Sequence, residues 1–491
     1  MKRTWIALAV ALAGAALSVR ADAASGLVLQ DQTALRAAPK EAAPLLTPLW
    51  RGEALELRGQ RGDWLQVWDP HRQRGGYVRQ AAVMPLPEGE ASVPELAAQL
   101  RLVRQQPGAE ALGLGLAAAL VERASPAWLA GVGGAELLEG LVTLQDRLAA
   151  RANSPGASSN QQAAASAHVD VAARYGHPLR SLARVDGSQW LCPAEEPARL
   201  LRGHPAASGA QRVQAALQLT RPDCIAADTP AIELPALHAR RAQWLDGIAL
   251  QALTPQQRNR LLLRRAGVQA SLAFANRDSR RASPEAHAAA AEALAAWTQL
   301  IPAELTEDDA PAVREAALRI APMRWLARPA PSSLPSLGGV TLTLQAGGPG
   351  ETCLVGLDRD GKTERLRRCS HGLIHTASAR LSPGGRSLML AVQPLDGWTE
   401  LWRVAADGSV QVLPPSTEAP GLGVAELAGF QGGQTLVARE AEAGGKLLRR
   451  FEVYRADIDV APQRWSGEAG LLGAFQRGSD AAWKGGSPLA R

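Results

Sequence analysis

The spacing of apolar residues changes twice along this 491-residue chain, and that change limits its fold more than any other feature. Up to about residue 84, apolar and polar residues alternate in short runs broken by glycine and proline, the period of strands that bury one face. The period then lengthens: Leu96, Leu100 and Val103 recur at helical spacing, as do Leu112, Leu116 and Leu120, and again Leu137, Leu141, Leu144 and Leu148. Beyond residue 339 alternation returns, in runs such as "VTLTLQ" and "SLMLAVQ" set between Gly-rich turns. The expectation is a multidomain, mixed chain. A small all-β domain covers residues 24–84, a central all-α domain with a β-hairpin covers 95–328, and an antiparallel β domain covers 339–491. The stretches "PLPEGEASVP" (85–94) and "PAPSSLPSLG" (329–338) read as linkers from their proline, glycine and serine. No fixed repeat period runs through the helical part, so no helical-repeat family is assigned.

The start of the chain sets the expected compartment. Lys2 and Arg3 precede an apolar run from Trp5 to Leu17 and the small-residue site Ala21-Asp22-Ala23, the three-part layout of a secretory signal peptide. Residues 1–23 are therefore expected to be removed, with a mature chain beginning near Ala24 in a periplasmic or secreted space. The run is short for a membrane span and Arg20 interrupts it; nothing after it is long and apolar enough to cross a bilayer, so the mature chain is expected to lack a transmembrane segment. In an oxidising space an even number of cysteines suggests disulfides. Cys192, Cys224, Cys353 and Cys369 allow three pairings, and the local one, Cys192 with Cys224 and Cys353 with Cys369, keeps each pair inside one apparent unit. The second pair closes a hairpin turning at Asp358-Arg359-Asp360-Gly361; the first ties a hairpin turning at Asp186-Gly187 to the end of a helix. The formal charge of +6 falls to +4 once Lys2, Arg3, Arg20 and Asp22 leave. Arginines are scattered and form no basic run interleaved with aromatics, so nucleic acid is not an expected partner.

Four short motifs follow one another near the start: Leu35-Arg36-Ala37-Ala38-Pro39, Gly52-Glu53 ahead of a strand, Gly62-Asp63-Trp64-Leu65-Gln66-Val67, and Gly76-Tyr77-Val78. In that order they resemble the bacterial SH3-like (SH3b) domain family over residues 27–83. The resemblance implies a small β-barrel acting as an accessory module for cell-wall material or peptides, without catalysis. Strand alternation places Leu65 and Val67 on one face and Trp64, Gln66 and Trp68 on the other. With Leu65 and Val67 in the core, both tryptophans stand outside and can hold a sugar ring or a peptide. A bulge after Asp63, which the resemblance suggests, instead turns Trp64 inward and leaves Trp68 outside. Tyr77, after its glycine corner, can bury its ring while its hydroxyl stays wet. Trp64, Trp68 and Tyr77 are thus the candidate ligand-binding residues.

Farther on, "LSPGGRSLMLAV" and "TELWRVAADGSVQVL" lie in a stretch, 375–456, that resembles β-propeller blades. The C-terminal part holds about three such units, fewer than a closed propeller needs. Sequence motifs for zinc hydrolysis, phosphate cradling, a serine nucleophile elbow or dinucleotide binding are absent. Cys369, His371 and His375 have a spacing that metal ligands can use, but disulfide use of Cys369 and a non-helical setting weigh against it, so no metal or cofactor is assigned. Asp358-x-Asp360-Gly361 lacks the further acidic ligands of a calcium loop. His168 and His177 read as helix-face or cap residues. A cell-wall hydrolase is the enzyme alternative, but Cys192 is followed by Pro193 and acidic residues, a poor setting for a nucleophilic cysteine. The expected function is that of an exported, non-enzymatic envelope protein. It binds peptidoglycan or wall peptides through the SH3-like domain, or scaffolds an envelope protein complex through the helical and β domains.

Overall fold

The computed structural model describes residues 24–184, 187–277, 283–395, 397–416, 422–443, 446–455, 461–478 and Trp483. The expected signal segment and Asp186 of the expected hairpin turn lie outside them. The chain divides into two compact units, residues 1–227 and 228–491, and helices occur in both.

In the first unit, β1 (Ser25–Val28), β2 (Thr33–Arg36), β3 (Leu45–Leu49), β4 (Ala54–Arg61), β5 (Trp64–Asp69), β6 (Arg74–Arg79) and β7 (Val83–Pro85) form one sheet in the order β3-β2-β6-β5-β4-β1-β7. The N-terminal region is therefore all-β. Alternate residues send Val28, Leu35, Leu55, Leu65, Val67, Val78 and Val83 into one shared core. Gly62, at φ +58°, and Asp63 make the two-residue turn between β4 and β5, a backbone that glycine adopts without strain.

Residues 85–94 are held on both sides. Pro85 pairs with β1, Leu86 is buried, and a 3₁₀ turn at Glu90–Ser92 runs straight into α1 (Val93–Val103). After it come α2 (Glu110–Arg123), α3 (Pro126–Ala130), α4 (Val132–Ala152), α5 (Ser159–Arg174), α6 (Glu195–Gly203) and α7 (Gly209–Leu219). Ser158 and Ser208 start α5 and α7 with reciprocal capping boxes to Gln161 and Gln211. The leucine rows of α1, α2 and α4 meet in a single core, and Leu27 of β1 and Leu86 enter it too. Between α5 and α6, β8 (Arg180–Ala183) and β9 (Gln189–Cys192) make a hairpin, pinned by the Cys192–Cys224 disulfide.

The second unit begins with α8 (Leu234–Leu245), α9 (Pro255–Ala275), α10 (Pro284–Thr298) and α11 (Ala310–Met323). Ala266, Ala270 and Ala273 of α9 and Ala286, Ala290 and Ala293 of α10 are all buried, and their small side chains let the two helices approach closely. An antiparallel sheet follows: β10 (Thr341–Ala346), β11 (Thr352–Leu357) and β12 (Glu364–Ser370). Its β11–β12 hairpin turns at Asp358–Gly361, where the Gly361 N–H donates to the Asp358 carbonyl, and the Cys353–Cys369 disulfide crosses it. Both cysteine pairs are therefore local.

Two meanders complete the region. The first is β13 (Leu373–Leu381), β14 (Ser387–Leu395), β15 (Trp398–Ala405) and β16 (Val410–Leu413); the second is β17 (Leu422–Gln431), β18 (Gln434–Ala443), β19 (Lys446–Arg455) and β20 (Arg464–Ser466). Two parallel pairs, Trp398–Gly423 and Thr399–Val424, join them, so this β region is antiparallel with a short parallel seam. One face of the first meander packs Leu388, Leu390, Val392 and Trp402 against Leu342, Leu354 and Leu366. Its other face packs Met389 and Leu401 against Ala425, Val437 and Tyr454. The far face of the second meander is covered by Leu318 and Ala321 of α11, Phe475 of α12 (Gly473–Gly478) and Trp483. Among the described residues, no helix is long and apolar enough to cross a membrane.

Candidate functional site

Leu65 and Val67 lie in the core of the N-terminal sheet, so alternation turns Trp64, Gln66 and Trp68 of β5 to the opposite face. Cross-strand register adds Arg79, Tyr77 and Gly75 of β6 to the same face, paired with Trp64, Gln66 and Trp68 in that order. The three aromatics therefore share one surface, but they are not equally open. Trp64 is 6% exposed, whereas Trp68 and Tyr77 are half-buried and Gln66 is exposed. The strand pairs regularly through Trp64, opposite Arg61 and Arg79, and the bulge sits instead in β4 between Leu57 and Gly59. Trp64 is covered in another way: the Arg79 guanidinium lies 4.4 Å from its ring centroid and is held there by Glu41 at 2.8 Å.

Trp68 carries a similar guest. Arg58 stacks 4.5 Å from its ring centroid and pairs with Glu56 at 2.9 Å, and both charged side chains reach solvent. Beside it, Gly75 leaves the ring edge uncrowded: a Cβ there would stand 3.6 Å from the indole. The result is a shallow strip of Trp68, Gln66 and Tyr77, with one exchangeable cation on the tryptophan. Such a strip can stack a flat or ring-shaped group and hydrogen-bond its edges through Gln66 and the Tyr77 hydroxyl.

The loops between β1 and β2, β3 and β4, and β5 and β6 are built for attachment. Gly52, at φ +85°, lies so close to α2 that a Cβ would come within 2.5 Å of the Ala111 carbonyl. Its own carbonyl accepts from the Tyr175 hydroxyl at 2.7 Å. The buried Glu53 carboxylate takes Arg72 and Arg174, each at 2.9 Å. His168 is fully buried between two partners: Nε2 lies 2.6 Å from Asp31, and Arg151 reaches Nδ1 at 2.5 Å while also pairing with Glu110. Because arginine can only donate, Nδ1 accepts and the ring proton sits on Nε2, donated to Asp31. Burial pushes the Asp31 carboxyl up, but the hydrogen bond from His168, with the N–H and charge of Arg51, outweighs it and holds the group below its ordinary value. With both nitrogens engaged, His168 has no lone pair for a metal or a substrate. His177 faces Gln145 at 3.2 Å, and burial pulls its imidazole down. The attachment network was not visible as a motif, since its members come from six separate stretches, at Asp31, Gly52-Glu53, Arg72, Glu110-Ala111, Arg151 and 168–175.

In the second unit, a cleft of about 510 Å³, open solvent at its mouth included, is lined by Arg324, Trp325, Arg380, Thr399 and Glu426 among others. Arg324 and Glu426 form a buried ion pair at 3.1 Å, and Trp483 Nε1 donates to the other Glu426 oxygen at 2.9 Å. The Cys369, His371 and His375 grouping is not brought together. His371 is 71% exposed by side chain, whereas His375 is buried in β13, and Cys369 is in its disulfide. Asp360 uses its carboxylate to accept from Lys362, Thr363 and the Thr363 hydroxyl, which holds its pKa down to about 2 and explains the motif as turn chemistry. Comparison of the chain with protein-family models, curated proteins and solved structures yields no match.

Proposed function

We propose that this protein is an exported, non-enzymatic envelope protein that binds peptidoglycan or a wall-linked peptide through the aromatic strip of its N-terminal sheet. The fold beneath this reading is an SH3-like barrel joined to helices and to three propeller-blade-like strand groups. Seven strands around one core and the Gly62-Asp63 hairpin support the barrel. The faces on either side of the first meander, each packed on another strand group, support the blades. The observation that carries the binding reading is the strip itself: Trp68 and Tyr77 half-open on neighbouring strands, with exposed Gln66 between them. Two local disulfides accord with an oxidising space.

The test is sedimentation of the purified mature chain with isolated peptidoglycan, with soluble fragments assayed in the same tube. Binding without fragment release is expected, and Trp68→Ala should weaken it about tenfold or more while the chain stays folded, since one stacking contact contributes about 1 to 3 kcal/mol. An unchanged binding curve for Trp68→Ala removes the strip from the account, and released fragments would make the protein a hydrolase. A second reading, a scaffold for an envelope protein complex, is favoured by the tight attachment of the sheet to α2 and α5 through Gly52, Glu53 and Asp31. On that reading a stable partner co-purifies with the chain and Trp68→Ala leaves it bound.

A further inference from the structure

Wall binding by the N-terminal sheet makes no use of the cleft in the second unit. Two irregularities in the strands lie beside that cleft: the register of β13 on β14 shifts between His375 and Arg380, and that of β14 on β15 shifts between Val392 and Leu395. Such shifts re-aim side chains and open the ladder. Ser378 repairs the first, since its hydroxyl donates to the His375 carbonyl at 2.6 Å and accepts the Ala391 N–H at 2.8 Å. Ala391 and Leu401 are paired across β14 and β15, and Thr399 stands two residues before Leu401, so the three share a face. That face is one wall of the cleft. Val424 and Glu426 of β17, and Arg324 just past α11, supply the others.

Thr399 is the member of this lining that the fold does not use. It is 1% exposed, and its Oγ1 has no hydrogen-bond partner among the described residues. A buried hydroxyl in that state destabilises the chain, and valine has the same shape without the penalty. Charge points the same way. Arg324 and Glu426 neutralise each other at 3.1 Å, but Arg380, half-buried in the lining, has no acidic partner among the described residues. Its Nη1 donates to the Ala377 and Ala379 carbonyls, which leaves Nε and Nη2 as an open fork. We propose that the cleft binds a small aliphatic carboxylate, with Arg380 and Thr399 as its polar contacts and Ala391, Leu401 and Val424 as its apolar wall. The fork of an arginine matches the two oxygens of a carboxylate, and one unneutralised cation matches its single charge. A dianionic phosphate group would ask for more donors than this mostly apolar lining offers. The site is independent of the aromatic strip. The same head group occurs on a free short-chain acid and on the C-terminal residue of a peptide, so both belong in the test.

Saturation-transfer NMR on residues 24–491 tests the site, with propionate, alanyl-alanine and alanyl-alanine amide as probes and sulfate as competitor. Saturable binding is expected for propionate, for alanyl-alanine or for both, and not for the amide. Tighter binding of propionate assigns the free acid as the ligand; tighter binding of alanyl-alanine assigns a peptide terminus. Arg380→Gln should weaken the preferred probe at least about tenfold, because it removes the charge and half the fork. Thr399→Val should weaken it about fivefold without lowering the urea midpoint, because the hydroxyl it removes has no protein partner to lose. Trp68→Ala should leave it unchanged. Absence of saturable binding overturns the proposal, and so does equal affinity in wild type, Arg380→Gln and Thr399→Val. Binding that Trp68→Ala removes belongs to the aromatic strip and overturns it as well. Displacement by an equal concentration of sulfate would mean that the cleft attracts any anion, and a lower urea midpoint for Thr399→Val would mean that its hydroxyl serves the fold; either result also counts against the carboxylate site.

Discussion

Trp64 and Trp68 each carry an arginine at nearly the same distance, 4.4 and 4.5 Å from the ring centroid, so the cation does not distinguish them. Burial does: Trp64 has lost almost all contact with water and Trp68 has not. Trp64→Ala should therefore cost about 3 kcal/mol of unfolding free energy in urea, and Trp68→Ala less than about 1. Equal costs would mean that the two rings share one environment. The inward turn of Leu65 and Val67 was legible from a period of two alone. The cover over Trp64 was not, because Glu41 and Arg79 reach it from elsewhere in the chain. His375 makes the same point with a charge. Sequence grouped it with Cys369 and His371, but the fold buries it in β13, where loss of solvent holds its imidazole down to about 4, aided by Arg324 and opposed by Gln393. Unfolded, the ring titrates near 6.5. The native state thus binds fewer protons between those values, so the stabilising contribution is complete above pH 6.5 and declines as pH falls toward 4, by about 3 kcal/mol in all. His238, held down to about 3 chiefly by burial, acts in the same direction. Urea unfolding of His375→Leu from pH 7 to 4 should show a shallower loss than wild type; identical slopes would refute the assignment.

Two elements show how far local chemistry reaches. The Asp358–Gly361 hairpin was readable because everything it needs is in the turn: a glycine at φ +67° and Asp360 bonding its own following N–H groups. The leucine rows of α1, α2 and α4 were readable because helical period is local as well. What the helices pack against was not, since Gly52 reads as an ordinary turn glycine until α2 is seen 2.5 Å from where its Cβ would be. Gly52→Ala should cost more than about 2 kcal/mol, combining a left-handed backbone with a backbone clash, whereas Gly62→Ala, whose Cβ meets nothing within 4 Å, should cost less than about 1. Comparing the two by thermal unfolding separates the backbone penalty, which they share, from the clash. The β8–β9 hairpin is a different case. It has only two short strands and depends on outside support from Asn153, which bonds both the N–H and carbonyl of Leu191, and from the Cys192–Cys224 link across 32 residues. Replacing both cysteines with alanine should cost about 3 to 4 kcal/mol in the chain-entropy account, read as a lower urea midpoint.

Across the whole molecule, the question is whether the N-terminal sheet is a bead on a tether or part of a larger body. Its proline-rich exit reads as a linker, and a linker would let the sheet be removed without consequence. The packing argues otherwise. Leu27 and Leu86 are members of the helical core that Leu96, Leu116 and Leu144 build, Glu53 closes an ion pair with Arg174, and Asp31 accepts a hydrogen bond from His168. Deleting residues 24–84 would expose those leucines and strand Arg174 and His168 without their acidic partners, a penalty several times larger than that of any single surface change. The cores of the second unit draw all their members from residues 262–483 and lose nothing directly. Calorimetry of residues 24–491 and of a fragment starting at Leu86 should therefore show the transition of the first unit lowered or lost in the fragment. The transition of the second unit should keep its temperature and enthalpy. A fragment whose first-unit transition is unmoved would make the sheet an independent module after all, and its aromatic strip would have to be judged as a detachable binding domain instead of one face of a fused body.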